Sequence, residues 1–163
     1  MSIVSNASPL IFLSKADQLS LPRALFEGPF LIPAQVRDEV IRSAGPEGEK
    51  ENLEEELRHW KVREVGVRAP FSGVGSIADW SVFELAMASR PKIVLADDRY
   101  LRGILSAANL PVLGTLGLFN LAVAKKILTA KKAAELADLL VDKHRYWIDA
   151  STYSKFLKSL KEL

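Results

Sequence analysis

The amino-acid sequence predicts an α/β fold, a single domain built on a central parallel sheet. Short apolar, β-branched segments alternate with longer segments of helical periodicity, the pattern that parallel strands with crossover helices produce. The 163 residues suit one domain (residues 1–163), and there is no internal repeat, low-complexity tract or evident linker. The predicted strands are residues 3–4, 30–32, 62–67, 92–96 and 111–113.

Apolar spacing and N-terminal signals predict the helices between these strands. Ser8 has the character of an N-cap, with Pro9 at the first helical position, and Pro33 starts another helix. Glu39 lies beside the apolar stripe of that helix, and Asp79 projects along the buried side of its own helix. The remaining predicted helices include residues 21–26, 47–56, 77–88 and 116–124, with C-terminal helices from about residue 131 onward at 132–140 and 151–160.

One segment is predicted to lie outside the site, and a second is predicted not to bind phosphate in the way a P-loop does. Residues 47–56 are rich in Glu and have few apolar anchors, which favours a solvated surface helix. Residues 71–76 contain two glycines but lack the Lys and the Gly spacing of a P-loop, so they indicate a flexible approach to the next helix rather than a phosphate-binding loop.

Composition limits the chemistry that the chain can perform. It has no cysteine and two histidines, so a metal site would be built from oxygen ligands, which favour magnesium or manganese. The net charge is +2, and basic residues crowd the last quarter of the chain. Such a basic end tolerates nucleic acid, although solvated faces of amphipathic helices explain it equally well. The N-terminal apolar run lacks a basic leader, and no segment has the length of a membrane span, so we expect a soluble, cytoplasmic protein that does not bind membranes.

The segment from Lys92 to Arg99 is the one around which a site is expected. Its apolar strand is followed at once by Asp97 and Asp98, and then by a helical pattern. In an open parallel sheet, ligands bind at the carboxyl ends of the strands. One of the two aspartates could cap the helix, whereas two adjacent carboxylates at a strand end also suit a bound cation.

Other acidic or amide side chains are predicted at strand ends or on inward helix faces. Together with the aspartate pair they come from four separate segments, so only the fold could bring them together. Converging carboxylates repel one another unless a cation neutralises them, and such a cluster supports phosphoryl chemistry by a metal-activated water. The full set is Asn6, Glu39, Asp79, Asp97 and Asp98.

These segments resemble the PIN-domain ribonucleases. The likeness is closest to the PIN-like branch whose members begin with a Ser-Asp/Asn-x-Ser-Pro-Leu motif. It covers nearly the whole chain, and the motifs occur in the right order. The matching stretches are SNASPL at 5–10, IPAQVRDE at 32–39, the Gly-containing approach to Asp79, LADDR at 95–99 with Arg102, and GTLG at 114–117.

The resemblance implies a fold, an activity and partners. The fold would be a three-layer α/β/α sandwich of the PIN type with a central parallel sheet. The activity would be that of a metal-dependent endoribonuclease that uses magnesium or manganese and acts on single-stranded RNA. The protein would be the toxin of a toxin–antitoxin pair, with an antitoxin protein as partner and a homodimer as its assembly.

Residue by residue, the resemblance assigns the acidic positions. Asn6 falls on the first metal-binding position, Glu39 on the second, Asp79 on the third and Asp98 on the fourth, with Asp97 as the adjacent alternative. Glu39, Asp79 and Asp98 would be the catalytic carboxylates. Four further residues match positions near the pocket: Ser8 has a hydroxyl close to it, Thr115 supports it from behind the ligands, and Arg99 and Arg102 would either hold the RNA backbone or pair with the acidic cluster.

Asn6 departs from the family pattern, because active members usually carry Asp there. An amide oxygen can ligate a hard cation but brings no charge. The alternative function is therefore a catalytically attenuated PIN-like module that binds RNA or a protein. A phospho-acceptor receiver domain is disfavoured, since Ser5 and Asn6 supply no acidic pair after the first strand. The three tryptophans, Trp60, Trp80 and Trp147, are interpreted as core or interface residues rather than a base-stacking platform.

Overall fold

The computed structural model describes residues 1–46, 48–68 and 75–163. The described residues form an all-parallel sheet of five strands in the spatial order β3-β2-β1-β4-β5. Parallel sheets are buried on both faces, and the central strand is accordingly buried at every position. The strands are β1 (Ile3–Ser5), β2 (Phe30–Pro33), β3 (Trp60–Arg63), β4 (Ile93–Leu95) and β5 (Val112–Leu113).

Nine helices in the described part of the chain connect and flank the strands. The chain moves outward from β1 through β2 to β3, crosses back to β4 and then moves outward to β5. Right-handed crossovers then place the helices of the two halves on opposite faces, which gives the predicted three-layer α/β/α sandwich. The helices are α1 (Ala7–Lys15), α2 (Leu21–Leu25), α3 (Ala34–Arg42), α4 (Glu49–Leu57), α5 (Ile77–Ser89), α6 (Arg99–Ala107), α7 (Thr115–Ala124), α8 (Ala130–Lys143) and α9 (Ala150–Lys161).

The strand order reverses between β1 and β4. In the register of this pair, Ile3 lies opposite Ile93 and Ser5 lies opposite Leu95. Chain segments leave the carboxyl ends of these two strands toward different sides of the sheet, and the crevice between them is where open α/β sheets bind ligands. The residues that follow β1 and β4, beginning with Asn6 and Ala96, therefore occupy the position expected of a site.

Two predicted boundaries are wrong. The third strand covers Trp60–Arg63 rather than residues 62–67, because Trp60 pairs with Phe30 of β2 and buries its ring there, with the two ring centroids 5.1 Å apart. Ser8 is not the N-cap of α1. The cap is Asn6, and Ser8 lies inside the first turn, where the missing N–H of Pro9 still costs nothing.

The acidic segment forms α4, as predicted, although Glu47 lies outside the described residues, as do residues 71–74 of the Gly-containing segment. Most of the α4 carboxylates are exposed. Two are not: the Glu49 side chain is 15% exposed and lies 2.7 Å from Lys15 Nζ, and the Glu56 side chain is 6% exposed and accepts two hydrogen bonds from Arg23, both 2.9 Å. No helix in the described residues has both the length and the apolar character that crossing a membrane requires.

Candidate active site

Asn6 lies at the junction of β1 and β4. Its backbone N–H donates to the Leu95 carbonyl at 2.8 Å, which holds it at the carboxyl edge of the sheet. The residue is only 3% exposed. Its side-chain Nδ2 donates to Asp79 Oδ1 at 3.2 Å, so it makes no capping bond to α1. The other amide atom, Oδ1, is buried without a hydrogen-bond partner among the described residues.

Asp79 is held by a capping box at the start of α5. The Asp79 N–H donates to Ser76 Oγ at 3.0 Å, and the Ser76 N–H donates to Asp79 Oδ2 at 3.1 Å. One carboxylate oxygen therefore serves the helix cap and the other faces Asn6. This double attachment fixes the direction of the half-buried carboxylate toward the end of β1.

Glu39 is electrostatically coupled to Asp79. Its carboxyl is half-buried on α3, and burial raises its pKa above the usual value. The negative charge of Asp79 raises the pKa further, while Arg42, one turn along the helix, lowers it. Among the described residues, the Glu39 carboxylate has neither a hydrogen bond nor an ion pair. It is therefore a carboxylate without a direct partner beside a second carboxylate.

Asp97 belongs to a different hydrogen-bond network, at the ends of β4 and β5. It accepts hydrogen bonds from the Thr115 N–H at 2.8 Å, from Thr115 Oγ1 at 2.7 Å and from the Tyr146 hydroxyl at 3.1 Å. Burial raises the pKa of Asp97, although these hydrogen bonds and the charge of Arg102 oppose the shift. Gly114 permits the close approach, since a Cβ there would lie 2.9 Å from Asp97 Oδ1.

Asp98 is exposed and caps α6. Its Oδ1 accepts a hydrogen bond from the Leu101 N–H at 2.8 Å, which confirms that one aspartate of the pair has the capping role considered for it. Neither nearby arginine forms an ion pair in the described part of the chain. Arg102 Nη1 donates to the Ala96 carbonyl at 2.9 Å, and Arg99 is exposed at the start of the helix.

The structure thus divides the predicted site residues into groups. Asn6, Glu39 and Asp79 form one cluster, which we call the amide–carboxylate cluster. Asp97 and Thr115 form a second network, and within the described residues neither Asp97 nor Asp98 hydrogen-bonds to the first cluster. Ser8 is half-buried in the first turn of α1. The assignment of these residues as metal ligands stays a prediction.

The amide–carboxylate cluster has the donor chemistry of a hard-cation site. Among the described residues, no three His, Asp or Glu side chains are grouped closely enough to hold a metal ion. The amide–carboxylate cluster is not such a group of three, because it has two carboxylates and its third member, Asn6, is an amide. The buried Asn6 Oδ1 lacks a donor, and Glu39 and Asp79 repel each other. A divalent cation would satisfy all three groups, so the residues fit such an ion.

Sequence reasoning missed two residues that order this region. Ser76 stands three residues before Asp79, the spacing of a capping box, and that signal could have identified it. Tyr146 offers no such signal, because 49 positions separate it from Asp97 in the sequence.

A family model described as a PIN domain matches residues 2–162 of the chain. The match includes all the described strands and every residue of the candidate site. No curated protein matches the chain.

Proposed function

The chain belongs to the PIN-domain family, and from that premise we propose that it is a metal-dependent endoribonuclease acting on single-stranded RNA. Membership of this family makes the protein a nuclease-type module, and dependence on a divalent metal ion is general among PIN domains. RNA as the substrate, magnesium or manganese as the ion and cleavage within the strand are the finer parts of the proposal.

One observation carries the proposal: among the described residues the buried Asn6 Oδ1 has no donor, and the Asn6 amide bonds to Asp79, whose charge repels that of Glu39. A buried polar atom left without a partner costs about 1–3 kcal/mol, and a bound ion or water would remove that cost. The geometry favours a cation over a water, since a cation also relieves the repulsion between Glu39 and Asp79.

The residues of the chain then have distinct roles. Asn6, Glu39 and Asp79 would hold the ion, which when bound lowers the pKa of a water and offsets charge on the phosphate. Ser76 orients the Asp79 carboxylate through its cap hydrogen bonds. Asp98 would add negative charge at the end of β4, where it also caps α6.

The neighbouring groups would orient the substrate. Thr115 and Tyr146 hold the Asp97 carboxylate in place at the ends of β4 and β5. Arg99 and Arg102 are the cations closest in sequence to this edge, and they would contact RNA phosphates.

A catalytically attenuated module is the second candidate, and Asn6 favours it. With two carboxylates and an amide, the cluster carries one negative charge fewer than it would with an aspartate in place of Asn6, so the ion is held more weakly. Such a module would bind RNA or a protein without turnover.

The wider role that we propose is that of a cytoplasmic toxin paired with an antitoxin protein and assembled as a homodimer. The support for this role is the resemblance of the SNASPL and LADDR segments to the PIN-domain ribonucleases. It is independent of the cleavage chemistry and needs its own test, namely the mass of the purified protein in solution and the effect of its expression on cell growth.

The central experiment measures cleavage of a mixed single-stranded RNA with manganese present and after a chelator is added. We expect cleavage that the chelator stops and that Glu39→Gln and Asp79→Asn reduce by at least about 100-fold, the size of a catalytic-group effect. Glu54→Gln on α4, which removes a charge from a side chain that is 52% exposed, is the matched control. Cleavage that survives both substitutions would place the chemistry elsewhere, and no cleavage by the wild type would favour the attenuated module.

A variant pair separates the two adjacent aspartates. Asp98→Asn removes charge but keeps the cap, because Asn is as good an N-cap as Asp. Asp97→Asn removes charge from the network with Thr115 and Tyr146. We expect Asp98→Asn to abolish cleavage without lowering the melting temperature. If Asp98→Asn keeps full cleavage activity and Asp97→Asn loses it, the fourth metal-binding position belongs to Asp97 instead of Asp98.

A further inference from the structure

A cleft of about 920 Å³ lies beside the candidate active site. Asp97 and Arg102 line one end, and residues of the α8–α9 connection and of α9 line the other. Asp97 is two residues beyond Leu95, whose carbonyl accepts the Asn6 N–H. Two extended residues span about 7 Å, so this end of the cleft lies within roughly 10 Å of Asn6. The cleft therefore begins near the amide–carboxylate cluster, although Asn6, Glu39 and Asp79 are not among its lining residues.

Trp147 is the most unusual side chain of the cleft, because it is 89% exposed. The sequence predicts a core or interface residue at each of the three tryptophans, and the exposure of Trp147 excludes the core, whereas Trp60 and Trp80 are buried at 3% and 5% exposure. Exposing a large ring to water forgoes the burial energy that aromatic side chains usually contribute, which indicates a ring kept for a ligand.

The backbone around Trp147 is anchored on both sides. The preceding Tyr146 donates to Asp97 and packs edge-on against Phe12, with ring centroids 4.8 Å apart. Two residues later, Asp149 caps α9 by accepting hydrogen bonds from the Thr152 N–H at 2.8 Å and from its hydroxyl at 2.7 Å. Because its neighbours are fixed, the backbone of Trp147 is held at the cleft before any ligand arrives, which reduces the backbone entropy lost on binding.

The charge of the lining suits a polyanion. Three cations, Arg99, Arg102 and Lys155, face two carboxylates, Asp97 and Asp149. The charge of Arg102 acts on Asp97 and that of Arg99 on Asp149, whereas Lys155 is exposed and forms no ion pair in the described part of the chain, so the lining carries one cation more than carboxylates. The free charge that the cleft offers to a ligand is therefore positive.

A second copy of the chain is a poorer fit to this surface. Stable protein interfaces need a contiguous apolar centre. Of the large hydrophobic side chains that are exposed in the described residues, Trp147 alone lines the cleft. The others are distributed over the surface: Met1, Ile77, Tyr100, Ile127 and Leu163.

We propose that this cleft binds the single-stranded RNA adjacent to the cleavage point, with one base stacked on Trp147 and phosphates held by Arg99 and Lys155. The proposal rests on the proposed ribonuclease function and adds to it the place where the substrate lies. An exposed aromatic flanked by cations is the arrangement that binds single strands without regard to sequence, since every base has a face that can stack.

The experiment measures binding and cleavage separately. Binding of a labelled single-stranded RNA is followed by anisotropy in chelator, where no metal-dependent cleavage occurs. We expect Trp147→Ala to weaken binding by about tenfold and Trp147→Phe to retain most of it, as stacking on a ring requires. Lys155→Gln should weaken binding and reduce the salt dependence by about one phosphate contact. Lys158→Gln, on the same helix but outside the cleft, is the matched control and should bind as the wild type does.

Several outcomes would overturn the proposal: no RNA binding by the wild type, unchanged binding by Trp147→Ala, or an equal loss in Lys155→Gln and Lys158→Gln. Sedimentation of Trp147→Ala tests the competing occupant, because a dimer that dissociates while RNA binding persists would make the cleft an interface between copies. Cleavage assays on the same variants keep the two proposals apart. Binding that depends on Trp147 without any cleavage refutes the nuclease alone, whereas cleavage and binding that ignore Trp147 refute the cleft alone.

Discussion

Replacing Asn6 with Asp is the sharpest test of the candidate site. The substitution is nearly isosteric, at a side chain that is only 3% exposed and lies 3.2 Å from a carboxylate oxygen of Asp79. It exchanges a hydrogen-bond donor for a second negative charge. In metal-free buffer the variant loses one hydrogen bond, worth about 1 kcal/mol, and gains a repulsion of up to about 4 kcal/mol at an effective dielectric constant of about 20.

Protonation of one carboxyl limits this repulsion, because a group that is costly to ionise takes up a proton instead. We therefore expect the free energy of unfolding without metal to fall by about 2–3 kcal/mol. Domains of this kind are stable by about 5–15 kcal/mol, so the variant should still fold. Urea unfolding at neutral pH in chelator measures the loss. Asn109→Asp, at an exposed turn position, is the control and should change stability by less than about 0.5 kcal/mol.

With manganese bound, Asn6→Asp should raise the free energy of unfolding relative to the wild type, the opposite of its effect in chelator. Adding a carboxylate raises the ligand charge, so manganese should bind the variant more tightly and stabilise it by more than it stabilises the wild type. RNA cleavage should rise in parallel. If Asn6→Asp is as stable as the wild type in chelator, the adjacency of Asn6 and Asp79 does not govern this site. If manganese stabilises neither protein and neither cleaves RNA, the proposal of an enzyme is wrong.

Three other substitutions test single interactions. Glu39→Gln should raise the melting temperature at neutral pH without metal. Because the folded-state pKa of Glu39 is raised, its ionised form destabilises the fold above that pKa, and the gain should shrink as the pH falls toward the usual value of 4.5. Tyr146→Phe should lower the free energy of unfolding by about 1–2 kcal/mol, since it removes the hydroxyl that donates to Asp97. Arg23→Met should cost about 3 kcal/mol in urea unfolding, because the buried Glu56 loses its ion pair and keeps only the Trp60 Nε1 hydrogen bond among the described residues.

Substitutions of exposed residues that remove similar groups are the controls for general destabilisation. Lys50→Met breaks the exposed Lys50–Glu54 pair on α4 and should cost less than about 0.5 kcal/mol, so an equal loss in Arg23→Met would show that burial of Glu56 is unimportant. Tyr100→Phe removes a hydroxyl from a partly exposed ring and should be neutral. A pH-independent gain in Glu39→Gln would contradict the electrostatic explanation.

The sequence predicts the element types well, because the signals for them are local. β-branched runs and helical spacing identify the strands and helices, and the structure departs from them chiefly at β3 and at the start of α1. In both places a contact distant in sequence overrides the local signal. Trp60 joins the sheet because it packs on Phe30, and Asn6 turns its side chain to Asp79 instead of capping α1.

The spatial order of the strands could not be predicted from local sequence patterns. Alternating strands and helices indicate a parallel sheet, but they leave open which strand is central. The family resemblance assigned Asn6 and Asp98 to one site but specified no strand order. The pairing of Ser5 with Leu95 depends on contacts between segments about 90 residues apart, which no spacing rule reads from one sequence.

The aspartate pair shows how local and distant interactions divide neighbouring residues. Asp98 caps α6 by accepting a hydrogen bond from the N–H of Leu101, three residues ahead, as its position before the helix allows. Asp97, one residue earlier, bonds instead to Thr115 and Tyr146, which come from other elements. Loss of Asp98 would remove an exposed charge and a helix cap that Asn can replace. Loss of Asp97 would remove the hydrogen bonds that hold the β5–α7 turn and Tyr146, the residue before Trp147. Asp97 therefore connects the end of β4 with the segment that carries Trp147. Its loss should affect both the candidate active site and the proposed RNA-binding cleft.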